Sequence, residues 1–176
     1  TRSKDNEYIA QSGLIGENGT DTREGRPIFT VTDSNFILEP DQQSLNVDLT
    51  LKQNGVTIIK RFTFTATEYV VGVNYLIENA SYDSWEATFY AQIKRDSHEP
   101  LVESSGGVSP YLGAALRESD KNFAKHDFGD IQDETVKTEI KGGWVAMVQH
   151  YFISAWIPPA DQNNSFSLRK LSGQDI

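Results

Sequence analysis

Residues 44–65, SLNVDLTLKQNGVTIIKRFTFT, restrict the fold more than any other stretch of the chain. Leu45, Val47, Leu49 and Leu51 fall on one side of a period-two pattern, with Asn46, Asp48 and Thr50 on the other. That is the spacing of a strand, whose successive side chains point to opposite faces. The loop Gln53-Asn54-Gly55 follows, and Asn-Gly tolerates the positive φ angles of a tight hairpin turn. Beyond it Val56, Ile58, Phe62 and Phe64 share a face broken only by Lys60. The stretch predicts an antiparallel β-hairpin.

Neighbouring segments repeat the pattern. YVVGVNYLI aligns Tyr69, Val71, Val73, Tyr75 and Ile77, the turn-rich ENASYDS follows at 78–84, and WEATFYAQIK aligns Trp85, Ala87, Phe89, Ala91 and Ile93. RPIFTVT and NFILE read as two shorter strands around Asp33-Ser34, and TVKTEIK (135–141) returns to alternation. Between them SSGGVSP (104–110) reads as a loop, YLGAALRES as a turn of helix, and KNFAKHDFGDIQDE as a polar connection. Strands joined by short turns without intervening helical patterns predict an all-β antiparallel sandwich with few short helices. At 176 residues the chain suits one domain, expected over 1–176.

The densest apolar stretch is KGGWVAMVQHYFISAWIPP (141–159). Its apolar run, Trp144 to Ile157, is 14 residues long and is interrupted by Gln149, His150 and Ser154. A membrane-spanning helix needs about 20, so this run does not span a bilayer. Periodicity fits an amphipathic helix and two short strands equally, with Gly142-Gly143 and Pro158-Pro159 bounding either. The chain opens TRSKDNEYIAQ, without the apolar core of a signal peptide, as a segment starting inside a longer protein would.

Charge narrows the partners. Lys plus Arg number 16 against 25 Asp plus Glu, a net charge of -9. Nucleic-acid binding requires clustered cations that neutralise phosphates, and anionic lipid surfaces attract basic segments. Neither class suits this chain. With no cysteine, disulfides and thiolate chemistry are excluded.

No catalytic or metal-ligating pattern emerges. His98, His126 and His150 lie far apart and outside any metal-spacing motif, and His150 reads as a hydrogen-bonded histidine at a core boundary. Asp127-Phe128-Gly129 spells a kinase tripeptide without the accompanying catalytic loop, glycine-rich loop or strand lysine. Ser104 to Gly107 lacks the Gly-Lys-Ser/Thr of a phosphate loop, and no nucleophile elbow is present. Asp161, Asn163 and Ser165 alternate like a calcium loop, without its glycine and closing glutamate. Sequons occur at Asn18, Asn79 and Asn163. The many carboxylates single out no acid–base pair. Trp85, Trp144 and Trp156 fall in apolar-patterned segments and are expected in the core rather than on a sugar platform. No cofactor is implied.

Four segments together resemble a known family: YIAQSGLIG (8–16), the Arg-Pro of GRPIFTV (25–31), VNYLIENAS (73–81) and above all GGWVAMVQHYFISAWIP (142–158). They are similar, in one colinear pass, to the large periplasmic domain of the YidC family of bacterial inner-membrane insertases, the Oxa/Alb/YidC group. The resemblance implies a β-super-sandwich of galactose mutarotase-like fold, with the 141–159 stretch as strand, turn and strand and with Trp144, Phe152 and Trp156 as core anchors. It places the domain in the periplasm between membrane helices that would anchor the full-length protein. On that reading the chain is a fragment without its N- and C-terminal neighbours. It also lacks the family's insertase core, so no insertase residue is carried over.

The function so implied is a non-catalytic interaction and scaffolding module of an insertase and chaperone that assists membrane-protein insertion and folding. Its expected partners are the periplasmic regions of SecD and SecF in the Sec translocon and the membrane-protein clients of the full-length protein. The charged stretch from Glu118 to Glu134 is the expected contact face, with Glu118, Lys121, Lys125, Asp127 and Asp130 as its contact residues. The alternative is a carbohydrate-binding or mutarotase-like domain, which predicts exposed aromatic residues in a concave face beside a carboxylate or histidine. Shared fold does not carry shared chemistry.

Overall fold

A computed structural model describes residues 2–3, 6–96, 111–149 and 151–171. Its elements are β1 (Arg2–Ser3), β2 (Asn6–Ile15), β3 (Thr30–Val31), β4 (Ser44–Gln53), β5 (Val56–Thr65), β6 (Val71–Asn79), β7 (Thr88–Arg95), β8 (Gly113–Leu116) and β9 (Ala124–Asp127). They continue as α1 (Phe128–Asp133), β10 (Val136–Lys141), β11 (Val145–Val148), β12 (Ile153–Trp156) and β13 (Asn163–Leu168). Every described pairing is antiparallel, and the all-β class holds. The chain divides into two compact units, Gly13–Tyr90 and the combination of Thr1–Ser12 with Ala91–Ile176. A further sheet has the order β1-β2-β7.

The unit Gly13–Tyr90 is built on a meander of order β3-β4-β5-β6. Gln53 pairs with Val56 across a two-residue turn, where Asn54 (φ 51) and Gly55 (φ 77) take the positive φ values expected of Asn-Gly. The register sets Leu51 opposite Ile58 and Val47 opposite Phe62, and then Ile58 opposite Ile77 and Phe62 opposite Val73. The apolar sides of three strands thus form one face. Leu14, Val56 and Ile58 are its buried centre, flanked by Phe29, Leu51, Tyr75, Trp85 and Ala87. Lys60, the break in the pattern, stays on this face because its Nζ lies 5.4 Å from the Phe62 ring centre and 5.5 Å from that of Tyr75, its partner on β6. Partial burial lowers its pKa, opposed by the Asp21 carboxylate.

In the other unit a sheet of order β12-β11-β8-β9 sets Met147 opposite Ala114 and Val145 opposite Leu116. The hairpin β10–β13 brings Phe166 and Leu168, and α1 brings Phe128 and Ile131, into one core with Ala114, Leu116 and Met147. Asp127 caps α1 by accepting the Asp130 N–H at 2.9 Å, so the kinase-like tripeptide is a helix start. Arg95, 5% exposed, lies in this unit with its guanidinium 5.1 Å from the Phe128 ring centre. Its Nε donates to Asp96 O at 2.7 Å. Burial lowers its pKa against the Asp96 charge.

Several expectations are corrected. GAAL within YLGAALRES is strand β8, not a helical turn, and all four residues are buried, which erases any alternation. NFILE forms no strand, and Tyr69 precedes β6 fully exposed instead of joining its apolar face. KNFAKHDFGDIQDE contains β9 and α1. The 141–159 stretch does form strand, turn and strand, β11 and β12, but Phe152 is not a core anchor. It is 74% exposed, because it closes the hairpin end through paired backbone bonds with Gln149 and lies before the packed part of β12. Trp85, Trp144 and Trp156 are half-buried at the core margins. Trp85 packs on the Ile58 cluster, Trp144 lies against Phe123 with ring centres 5.4 Å apart, and Trp156 donates its indole N–H to Gln92 O at 3.0 Å. His98, His150 and the 104–110 loop lie outside the described residues.

Candidate functional site

The five expected contact residues lie on the β8–β9 turn, β9 and α1, in distinct states. After β8, Arg117 donates its backbone N–H to Trp144 O at 3.1 Å, and Glu118 N–H donates to Lys121 O at 2.9 Å, closing a tight turn. Glu118 Oε1 is 3.0 Å from His126 Nε2 across that turn. Lys125 Nζ rests 4.9 Å from the Tyr111 ring centre and 5.9 Å from that of Phe123. Asp127 is committed to capping α1. Lys121 and Asp130 are exposed, and among the described residues neither side chain is engaged in a hydrogen bond or ion pair. Of the five, these two combine exposure with an unengaged charged side chain.

Tyr111 holds this hairpin together from beneath. Its hydroxyl oxygen lies 2.7 Å from Ala114 O and 2.9 Å from His126 O, so its one proton bridges from the β8 backbone to β9. Burial raises its pKa, reinforced by the Asp127 and Asp130 carboxylates. Gly113 leaves room for this arrangement: a Cβ there would lie 2.5 Å from His126 O and 2.6 Å from the Tyr111 hydroxyl.

Beside the turn a cleft of about 390 Å³ is lined by Arg117, Asn122, Gly143, Trp144, Ile157, Pro158 and Ala160. Gly142 and Gly143 (φ 68 and 88) turn the chain sharply into β11, and a Cβ on Gly143 would come within 2.8 Å of Phe166. That turn sets Trp144 in the cleft wall. Four of its seven lining residues, Trp144, Ile157, Pro158 and Ala160, are apolar, and Arg117 supplies the charge. No carboxylate or histidine lines it, so the cleft does not supply the acid–base set of a mutarotase-like site. Sequence reading missed Arg117, Asn122, Ile157 and Ala160 as cleft residues. They come from two separated segments, and only the register of β11 on β8 and β12 gathers them around Trp144. The Pro158-Pro159 break was the one local sign that a strand ends there.

A second polar arrangement lies in the unit Gly13–Tyr90. Asp21 accepts from Leu14 N–H at 3.1 Å and from the Tyr90 hydroxyl at 3.1 Å, with Arg26 Nε at 4.0 Å. A Cβ on Gly13 would come within 2.6 Å of that carboxylate and force it to move. The aspartate thus knits a loop to a strand. Among the described residues no group of three or more His, Asp or Glu side chains could hold a metal ion, and no helix is long and apolar enough to cross a membrane.

The model of the YidC periplasmic domain family matches residues 1–176. Curated relatives named membrane protein insertase YidC include one from Cellvibrio japonicus, 50% identical over 169 residues that cover 96% of this chain and 31% of the relative. Another, from Saccharophagus degradans, is 47% identical over 173 residues, 98% of this chain and 31% of the relative. A third, from Alcanivorax borkumensis, is 44% identical over 174 residues, 96% of this chain and 30% of the relative. The chain therefore spans about a third of the length of the curated relatives it matches.

Proposed function

Because the chain belongs to the YidC periplasmic domain family, we propose that it serves as the periplasmic interaction module of an inner-membrane protein insertase and takes no catalytic part itself. The family match across residues 1–176 is the observation that carries the reading. Relatives bearing the insertase name align with nearly all of this chain, which supports assigning it a supporting role within a longer membrane-anchored protein. On this reading the full-length protein assists insertion and folding of membrane-protein clients, and this part contacts the SecD and SecF periplasmic regions. The contact face is the β8–β9 turn with the start of α1, where Lys121 and Asp130 present outward charge while Glu118, Lys125 and Asp127 hold the turn in shape.

Titrating the isotope-labelled chain with purified SecD and SecF periplasmic domains tests this by NMR. Saturable shifts confined to residues 117–133 are expected, and Lys121→Ala with Asp130→Ala should weaken them severalfold. Spectra unchanged at several hundred micromolar partner would remove the Sec contact. Shifts elsewhere, untouched by the two substitutions, would remove the face.

A further inference from the structure

We propose that the cleft at the end of β12 receives an extended apolar polypeptide segment that carries an acidic side chain near its N-terminal end. The proposal deepens the interaction-module reading, on which it rests for the origin of such a segment. Strand β12 is the edge of its four-stranded sheet, and an edge strand offers unpaired backbone groups to a further strand. Its outward residues are apolar: Ile153 is 61% exposed and Ile157, two residues beyond the strand, 65%. Edge strands are usually blunted by charge, and no charged residue occurs from Ile153 to Ala160.

This stripe leads directly into the cleft, since Ile157 and Pro158 are part of the lining. Pro158 has no N–H to donate, so strand addition ends there. A segment pairing antiparallel with β12 has its N-terminal end in the cleft, against Trp144, Asn122 and Arg117. No carboxylate among the described residues pairs with the Arg117 side chain, although the chain carries 25 Asp and Glu against 16 Lys and Arg. An unpaired guanidinium at the mouth of an apolar cleft selects a carboxylate on an otherwise apolar ligand. A sugar, which needs many hydrogen-bond partners, finds only two polar side chains here, those of Arg117 and Asn122.

The probe is an acetylated, amidated heptapeptide of alternating valine and threonine with glutamate at its N-terminal end, compared with its glutamine counterpart. NMR titration of the 176-residue chain should give shifts along residues 153–157 and at the Trp144 indole. Glutamine in the peptide, or Arg117→Ala in the protein, should each weaken binding at least fivefold, and combining them should add little. Ile153→Lys should abolish binding while leaving the remaining spectrum in place. Equal affinity for the two peptides, shifts away from β12, saturable binding of maltose but not peptide, or self-association through β12 in sedimentation would each overturn the proposal. The peptide assay contains no SecD or SecF, so its failure is distinct from failure of the partner reading.

Discussion

Truncating Leu116 to alanine tests whether the β8 strand truly centres the core of its unit. Leu116 is 0% exposed and belongs to the cluster of Ala114, Phe128, Ile131, Met147, Phe166 and Leu168. Removing three buried carbons costs about 2.4 kcal/mol at roughly 0.8 kcal/mol each. A cavity of roughly 60 Å³ that fails to collapse adds about 1.5 kcal/mol at ~24 cal/mol per Å³. Collapse is resisted because β8 is hydrogen-bonded on both sides, to β11 and to β9, so Leu116→Ala should lose about 4 kcal/mol. Urea unfolding followed by tryptophan emission measures this. In a Trp85→Phe background the signal comes from Trp144 and Trp156, both in the same unit as Leu116. The midpoint should fall by roughly 2 M if the slope is ~2 kcal/mol per M. Leu76→Ala, at a position 40% exposed, should cost less than about 1 kcal/mol in the same assay, read from the emission of Trp85 in a Trp144→Phe, Trp156→Phe background. A Leu116→Ala loss below about 1 kcal/mol with an unchanged slope would refute the assignment of β8 to a closed core.

Three further outcomes are expected. Gly113→Ala should destabilise by about 1–3 kcal/mol in thermal unfolding, because the added methyl meets the His126 carbonyl, which as backbone cannot turn aside. Phe152→Ser should leave stability within about 0.5 kcal/mol and improve solubility on concentration, since the ring is largely exposed. The Asp48–Arg61 pair, with Nε donating to Oδ1 at 2.7 Å and Nη2 to Oδ2 at 2.6 Å, holds the Asp48 pKa below 3.8 in the folded state. A lowered folded-state pKa gives stability that is present above pH 3.8 and lost as the pH falls toward the lowered value. Asp48→Asn should therefore be less stable than the parent at pH 7, by a margin that shrinks at pH 3, as read by urea midpoints at both pH values.

Local chemistry was legible in the sequence where it was self-sufficient. The β4–β5 hairpin could be read because Asn54-Gly55 fixes its turn and the two flanking alternations agree on one face. The strand at 136–141 could be read because one of its faces stays wet. By contrast β8 hid: with both faces covered, Gly-Ala-Ala-Leu shows no period, and alanine and leucine favour helix in isolation. NFILE has strand-like residues without a paired neighbour, and pairing is a property of the partner. Phe152 has the composition of a core residue, yet its position at a hairpin end decides its exposure. The contact residues were visible as charge, but which of them are already occupied depends on the Glu118–His126 pair and the helix cap. The cleft had no signature, because its residues meet only through strand register.

The two sheets also differ in how far apart along the chain their partners lie. From β4 to β6 each strand pairs with the next across a short turn, Gln53 to Val56 and Phe64 to Val71, so little loop entropy opposes their closure. In the other sheet Leu116 must find Val145, and the core there waits for Phe166 and Leu168. Contacts over short separations form faster, so the β4–β6 meander is expected to order before the β8–β11 pairing. For a chain that emerges from its N-terminal end, residues 44–79 would already be structured while the strands that shape the cleft are still to be delivered. The β12 edge and the cleft are therefore properties only of the finished molecule, and a chain arrested before Ile153 would display neither.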